Sequence, residues 1–250
     1  MQLQSISQFL NTTFRVDSVH DFPNAWNGLQ LENNGEVTKI AGAVDANVQA
    51  IEQAIQLKAD LLCVHHGLHW QGVQPLVGPV YELYSKAIQA NLAVYSLHLP
   101  LDIHPQYSHN ALLAKLLDID VKDTFCAYRD QPCGLLGFKE CTRDELSAQL
   151  QYHFPHYHTL CYGSEQLDNI GIVCGSGGQA LLDELVEKNF STLITGEIHY
   201  SAVSFAQLHH LNIFACGHYA TECFGIQALL QLLHQQFDLP CQFLEQGCVL

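Results

Sequence analysis

Five side chains in this sequence have the types and spacing to hold divalent cations: His65, His66, Asp102, His218 and Glu222. His65 and His66 follow the apolar run 61–64 and precede Gly67. Neighbouring side chains on a regular strand point to opposite faces, so both imidazoles serve one site only if the chain leaves the strand here. Gly67 permits that turn. Downstream, His98 and Asp102 stand four apart, as do His218 and Glu222, and each member of the second pair lies 120 positions after its counterpart. On a helix starting near 219, His218 and Glu222 face the same way, one turn apart. The plainer reading of that pair is a hydrogen bond at a helix N-terminus, where Glu is favoured in any case. Position favours the ligand reading, because Cys216-Gly217-His218 follows an apolar run just as His65 and Asp102 do.

Three imidazoles and two carboxylates exceed what one tetrahedral catalytic zinc needs. They suit two divalent ions that share bridging carboxylates and each keep a position for water. Zn, Mn, Fe and Mg all accept such a mixture. His98, on the Asp102 segment, is placed to orient a ligand or move a proton. His69, His104 and His109 flank the same loops and are further candidates to orient a ligand or move a proton, while His153, His156, His158, His209, His210 and His234 read as surface or helix residues. The GSGG loop at 175–178 lacks the lysine of a phosphate-binding P-loop and reads as a structural turn, with phosphate binding at a helix N-terminus as the alternative.

These side chains need elements to carry them. Apolar periodicity predicts helices over 2–14, 46–58, 80–90 and 110–117, and strands over 40–44, 61–64 and 92–97. The uninterrupted apolar runs are those of strands buried on both faces, as in a parallel sheet whose chemistry lies past the strand carboxyl ends. After a looser stretch (strand 134–138, helix 143–152 capped by Thr142, strand 159–162), the first pattern starts again. Segments 169–174, 179–188, 193–197 and 211–216 stand where 39–44, the helix after Asp45, the His-His strand and 92–97 stood. The expectation is an α/β fold of two similar halves, 1–125 and 126–250, with mostly parallel sheets.

Composition narrows the function classes. Twenty-five acidic against ten basic residues give a net charge of −15, which disfavours nucleic acid and anionic membrane as partners. Charged residues make up only 14%, low enough to suggest surface covered by other subunits. None of the ten cysteines is spaced CxxC and several sit in apolar runs, so free thiols in a reducing cytoplasm are expected. No apolar stretch approaches the roughly 20 residues of a membrane span, and the N-terminus lacks the pattern of a secretion signal.

Taken in order, NGLQ at 27–30, VHHG at 64–67, HLPLD at 98–102, GSGG at 175–178, ITGE at 194–197 and GHYATE at 217–222 resemble the GTP cyclohydrolase I type 2 homologues, also called Nif-three-like dinuclear metal-centre proteins. The resemblance covers nearly the whole chain. It implies two similar α/β halves with a metal pair in the cleft between them, and a toroidal homohexamer. It also implies that His65, His66, Asp102, His218 and Glu222 are the metal ligands, all present in kind. The reaction implied is hydrolysis of a purine nucleotide: activated water opens the imidazole ring of GTP and formate leaves, with His98 or Glu197 moving protons. A phosphoester or damaged nucleotide as substrate, or a non-enzymatic hexamer that binds metal or a partner, are the alternatives.

Overall fold

The computed structural model describes residues 1–247. By compactness the chain forms two units, one of residues 1–104 and 225–247, the other of residues 105–224. The sequence places one crossing near residue 125. In the structure the chain crosses after His104 and returns after Phe224, because a late strand completes the first unit's sheet.

The first unit runs α1 (Leu3–Thr13), β1 (Gly28–Leu31), β2 (Ile40–Asp45), α2 (Val48–Gln56), β3 (Leu61–His66), α3 (Gly78–Gln89), β4 (Ala93–Ser96) and the short α4 (Leu99–Asp102). The second continues with α5 (His109–Leu116), β5 (Asp120–Tyr128), β6 (Gln131–Thr142), α6 (Arg143–His153), β7 (His158–Cys161), β8 (Gln166–Val173), α7 (Gly178–Glu187), β9 (Thr192–Thr195), α8 (Ala202–Leu208) and β10 (Asn212–Ala215). Helix α9 (His218–Phe237) begins in the second unit and ends in the first, and β11 (Cys241–Phe243) closes the described chain.

The first sheet has the order β1-β4-β3-β2-β11, parallel except for β1. All six residues of β3 are buried, because layers cover both of the sheet's faces. On one face Ala43, Leu62 and Val94 join Ala50, Ile51 and Ala54 of α2. On the other, Tyr95 Oη donates to Asn11 Oδ1 of α1 at 2.6 Å, and the end of α9 lies against β2. There a Cβ on Gly42 would stand 2.8 Å from Leu230 Cδ1 and 3.0 Å from Ile226 Cγ2. A strand with no solvent face has no need of polar alternation, hence the run LLCV. Asn47 caps α2, its side chain accepting from Ala50 N at 2.9 Å, and so sets the helix directly after the end of β2.

The second sheet has the order β5-β6-β8-β9-β10-β7. Its β8, β9 and β10 are parallel, and antiparallel strands flank them on both sides. Ile170, Ile172, Ile194 and Phe214 pack with Leu113 of α5 and Leu146 and Leu150 of α6, while Val173, Leu193 and Ile213 pack with Leu181 and Leu185 of α7. Thr142 caps α6 in a capping box with Glu145.

The two sheets repeat one plan. In each, a helix leads into an antiparallel edge strand, and three parallel strands joined by helices follow: α1-β1-β2-α2-β3-α3-β4 and α6-β7-β8-α7-β9-α8-β10. Aligned by ladder register, Val64 corresponds to Thr195 and Ser96 to Ala215. That offset between β4 and β10 is one less than the 120 separating the His/carboxylate pairs. His98 therefore precedes α4 as its cap, while His218 is the first residue of α9.

Candidate metal centre

The first unit gathers its histidines at the carboxyl ends of β3 and β4. Strand β3 continues through His66, which pairs with Asp45 of β2, so the chain does not leave the strand at the histidine pair as the sequence suggests. The two rings nonetheless lie with centroids 4.7 Å apart, and His98 stands 4.8 Å from His65 and 5.6 Å from His66. Pairing with β4 stops at Val64↔Ser96, and beyond it the His65 ring turns to the next carbonyl of that chain. Gly67 is required by space rather than by its own turn: a Cβ there would stand 2.2 Å from Gln30 Nε2. The Gln30 side chain closes over this corner, donating to Ala25 O and Trp26 O and accepting from Leu68 N.

Each of the three rings has its Nδ1 committed. His65 Nδ1 lies 2.9 Å from Leu97 O, His66 Nδ1 2.9 Å from Asp45 Oδ1, and His98 Nδ1 2.9 Å from Asp21 Oδ1. A carbonyl or carboxylate oxygen accepts, so Nδ1 carries the hydrogen and Nε2 of the neutral ring holds the lone pair. Partners of this kind orient metal-binding imidazoles and raise their basicity. One ligand atom from each of His65, His66 and His98 falls within 4.8 Å of the others. Asp102, half-buried on α4, places Oδ1 3.6 Å from His65 Nε2. This set of imidazole nitrogens and a carboxylate fits a divalent cation of borderline character.

Asp21 and Asn27 form the support beneath His98. Asp21 accepts from Leu99 N and from the Asn27 side chain as well as from His98, and Asn27 Oδ1 accepts from His98 N at 2.7 Å. Burial works to raise the Asp21 pKa, but the His98 ring and these hydrogen bonds hold it below the ordinary carboxylate value. Trp70 covers the same group, its ring 4.7 Å from His66 and 4.5 Å from His98.

The second unit brings together Glu197, His218 and Glu222. His218 Nε2 lies 3.0 Å from Glu222 Oε1, and its Nδ1 lies 3.3 Å from Glu197 Oε1. Burial of the ring disfavours its charged form, yet the two carboxylates outweigh this and raise its pKa to about 9. Glu222 is buried, so this corner concentrates negative charge in a place of low solvent access. The GSGG loop builds the wall. Gly175 has φ +66°, and a Cβ on it would stand 2.3 Å from Glu222 Oε1 and 3.2 Å from His218 Nε2. Thr221 Oγ1 accepts from Gly175 N, and Gly196 packs so close that its Cβ would meet Gly175 O at 2.4 Å. The loop is thus a turn moulded around Glu222.

All seven residues singled out in the sequence stand at strand or helix ends, His65, His66, His98 and Asp102 in the first unit, Glu197, His218 and Glu222 in the second. The flanking His69 instead pairs with Tyr84, and His104 packs on Phe14. Asp21, Asp45 and Trp70 escaped sequence reasoning. Asp45 gave a signal, a carboxylate at the end of a buried strand, whereas Asp21 lies in a loop 77 residues from His98 and gave none.

A family model described as Duf34/NIF3 (NGG1p interacting factor 3) matches residues 1–247. The chain is 34% identical over 249 residues to the GTP cyclohydrolase 1 type 2 homolog of Pyrococcus horikoshii, covering 98% of each chain. It is 31% identical to the protein of that name from Pasteurella multocida, covering 97% of each. Among solved structures, protein ybgI, described as of unknown function, matches with a TM-score of 0.91 at 29% identity over the whole of both chains. TTHA1606 from Thermus thermophilus matches with a TM-score of 0.87, also at 29% identity and full coverage. With matches spanning the fold, both units and every motif, this chain belongs to the Duf34/NIF3 family.

Proposed function

We propose that this protein is a dinuclear-metal hydrolase acting on a purine nucleotide, GTP or a related or damaged one, and that His65, His66, Asp102, His218 and Glu222 hold two divalent ions. The observation that carries this reading is the set of Nδ1 partners: three buried or nearly buried imidazoles, each fixed in the tautomer that offers Nε2. The substrate rests on the name shared by the relatives, GTP cyclohydrolase 1 type 2 homolog. When bound, a metal pair lowers the pKa of a water and polarises an oxygen of the substrate. The chain's own residues do the rest. His65 and His66 present Nε2 while Leu97 O and Asp45 keep their rings from turning. Asp102 and Glu222 would supply carboxylate oxygens to hold the ions. His98 takes a proton at Nε2, and the buried Asp21 carboxylate stabilises the cation so formed. Glu197, exposed at the rim, passes protons to and from solvent.

We further propose a toroidal homohexamer in the cytoplasm with no membrane or nucleic-acid partner. The low charged fraction and the exposed apolar Val77, Ile88 and Leu208 support self-association, and among the described residues no helix is long and apolar enough to cross a membrane. The test is elemental analysis of protein purified without added metal, together with formate release from GTP. Two metals per chain with formate supports the reading. Two metals with no formate removes the substrate, and no metal after reconstitution removes the site. Asp102→Ala is expected to abolish turnover while leaving the assembly intact; loss of the assembly instead would make the ions structural.

A further inference from the structure

We infer that the cavity bounded by Asp45, His66, His69, Trp70, Leu76 and Tyr84 binds a planar heterocycle that carries N–H donors, the class of an amino-substituted purine, and that Asp45 selects it. This rests on the hydrolase reading and deepens it, by giving the base of the substrate a place and a reader.

The cavity lies wholly in the first unit as an open cleft of about 610 Å³, room for a nucleoside. Its walls are of two kinds. Trp70, Leu76 and the ring of Tyr84 are flat or apolar and suit the face of a ring. The polar lining comes from Asn47, His69, Gln71 and Gln74, and from Asp45 and His66 at the ends of β2 and β3. There Asp45 gives Oδ1 to His66 Nδ1, while its other oxygen has no hydrogen-bond partner among the described residues. A carboxylate oxygen can only accept, so the matching ligand edge must donate. Adjacent histidines (His66 and His69) argue against a cationic ligand, since the carboxylate already serves an imidazole. His66 lines this cavity and also belongs to the histidine cluster, so a ring seated here brings its substituents beside the proposed metal ligands. Trp70 serves both places, one ring packing on His66 and His98 and bordering the cavity.

The test is calorimetric titration of the full-length protein, metal-loaded and metal-stripped, with guanosine and with purine riboside, which has neither an amino group nor a ring N–H. Both probes are uncharged, so neither phosphate nor turnover enters the signal. Guanosine is expected to bind saturably in both forms and about tenfold or more tighter than purine riboside, the effect of one hydrogen bond to a charged acceptor. Asp45→Asn keeps an oxygen for His66 and turns an N–H₂ toward the ligand, so the preference should vanish. Leu76→Trp fills the cavity from an exposed position that folding does not depend on, and should weaken guanosine at least tenfold. Absence of saturable binding, equal affinity for the two probes, or unchanged affinity in both variants overturns the inference. Guanosine binding in a protein that hydrolyses no nucleotide overturns the hydrolase reading and upholds the pocket. Nucleotide hydrolysis with guanosine affinity unmoved by both variants overturns the pocket alone.

Discussion

A histidine becomes a metal ligand or a base according to what its other nitrogen touches. His65 is tied to a carbonyl, which fixes the ring but adds no charge, whereas His66 and His98 face carboxylates, which favour a metal cation on the opposite nitrogen. Asp21→Asn keeps the shape of the His98 support but removes its charge. We expect a loss of about 10- to 100-fold in turnover, as for other partners that orient such rings, with metal content retained. The same carboxyl has a consequence for stability. Its pKa is held below the ordinary 3.8, so it stabilises the fold above that value and the contribution is lost as pH falls through the lowered one. Thermal melts of metal-free protein taken down through the carboxylate range should fall more steeply for the wild type than for Asp21→Asn. Parallel curves would mean that Asp21 is not held in its charged form.

At the scale of elements, close approach is the recurring constraint. Helix α9 reaches β2 only because residue 42 lacks a side chain, and Gly42→Ala would press a methyl group into Leu230 and Ile226. Overpacking of this kind costs about 1–3 kcal/mol, to be read from chemical denaturation; a neutral result would mean that α9 can shift outward freely. Capping works on the same scale with smaller effects. Thr142→Ala removes the acceptor for Glu145 N at the start of α6 and should cost about 1 kcal/mol. Gly175→Ala is a different case, because the added methyl meets Glu222 Oε1 in a backbone region that alanine disfavours. It should lower metal occupancy in elemental analysis more than it lowers the melting temperature.

At the scale of the molecule, the last strand decides where the first unit ends. Strand β11 pairs in parallel with β2, and beyond it Gln246 brackets Asp45, accepting from its N–H and donating to its carbonyl. Asp45 in turn holds His66. Truncation after Asp238 should therefore expose the β2 edge and loosen His66. Hydrogen exchange is expected to rise in β2 and β3 while β8 and β9 stay protected; uniform loss of protection would mean that the two units unfold together. The proposed assembly is checked by light scattering, with a mass six times the 27.9 kDa chain as the expected result.

Much of the site and the parallel core could be read from residue order alone. Buried parallel strands need unbroken apolar runs, and chemistry at strand ends needs polar residues directly after them, so LLCVHHG and the repeated four-residue spacing were legible in one dimension. The edges were not. The β5–β6 hairpin turns on Arg129 and Asp130, both with positive φ and neither a glycine, so no turn signal marked it. Strand β11 is three residues long and has meaning only beside β2. Expecting the chain to leave the strand at His66 treated Gly67 as a hinge, when its role is to admit Gln30. The sequence by itself determined which residues could bind metal and that the α/β pattern occurs twice. Only the tertiary structure decided which nitrogen each histidine presents and that Asp21, Asp45 and Trp70 belong to the site, because contacts between residues far apart in the chain leave no periodic trace along it.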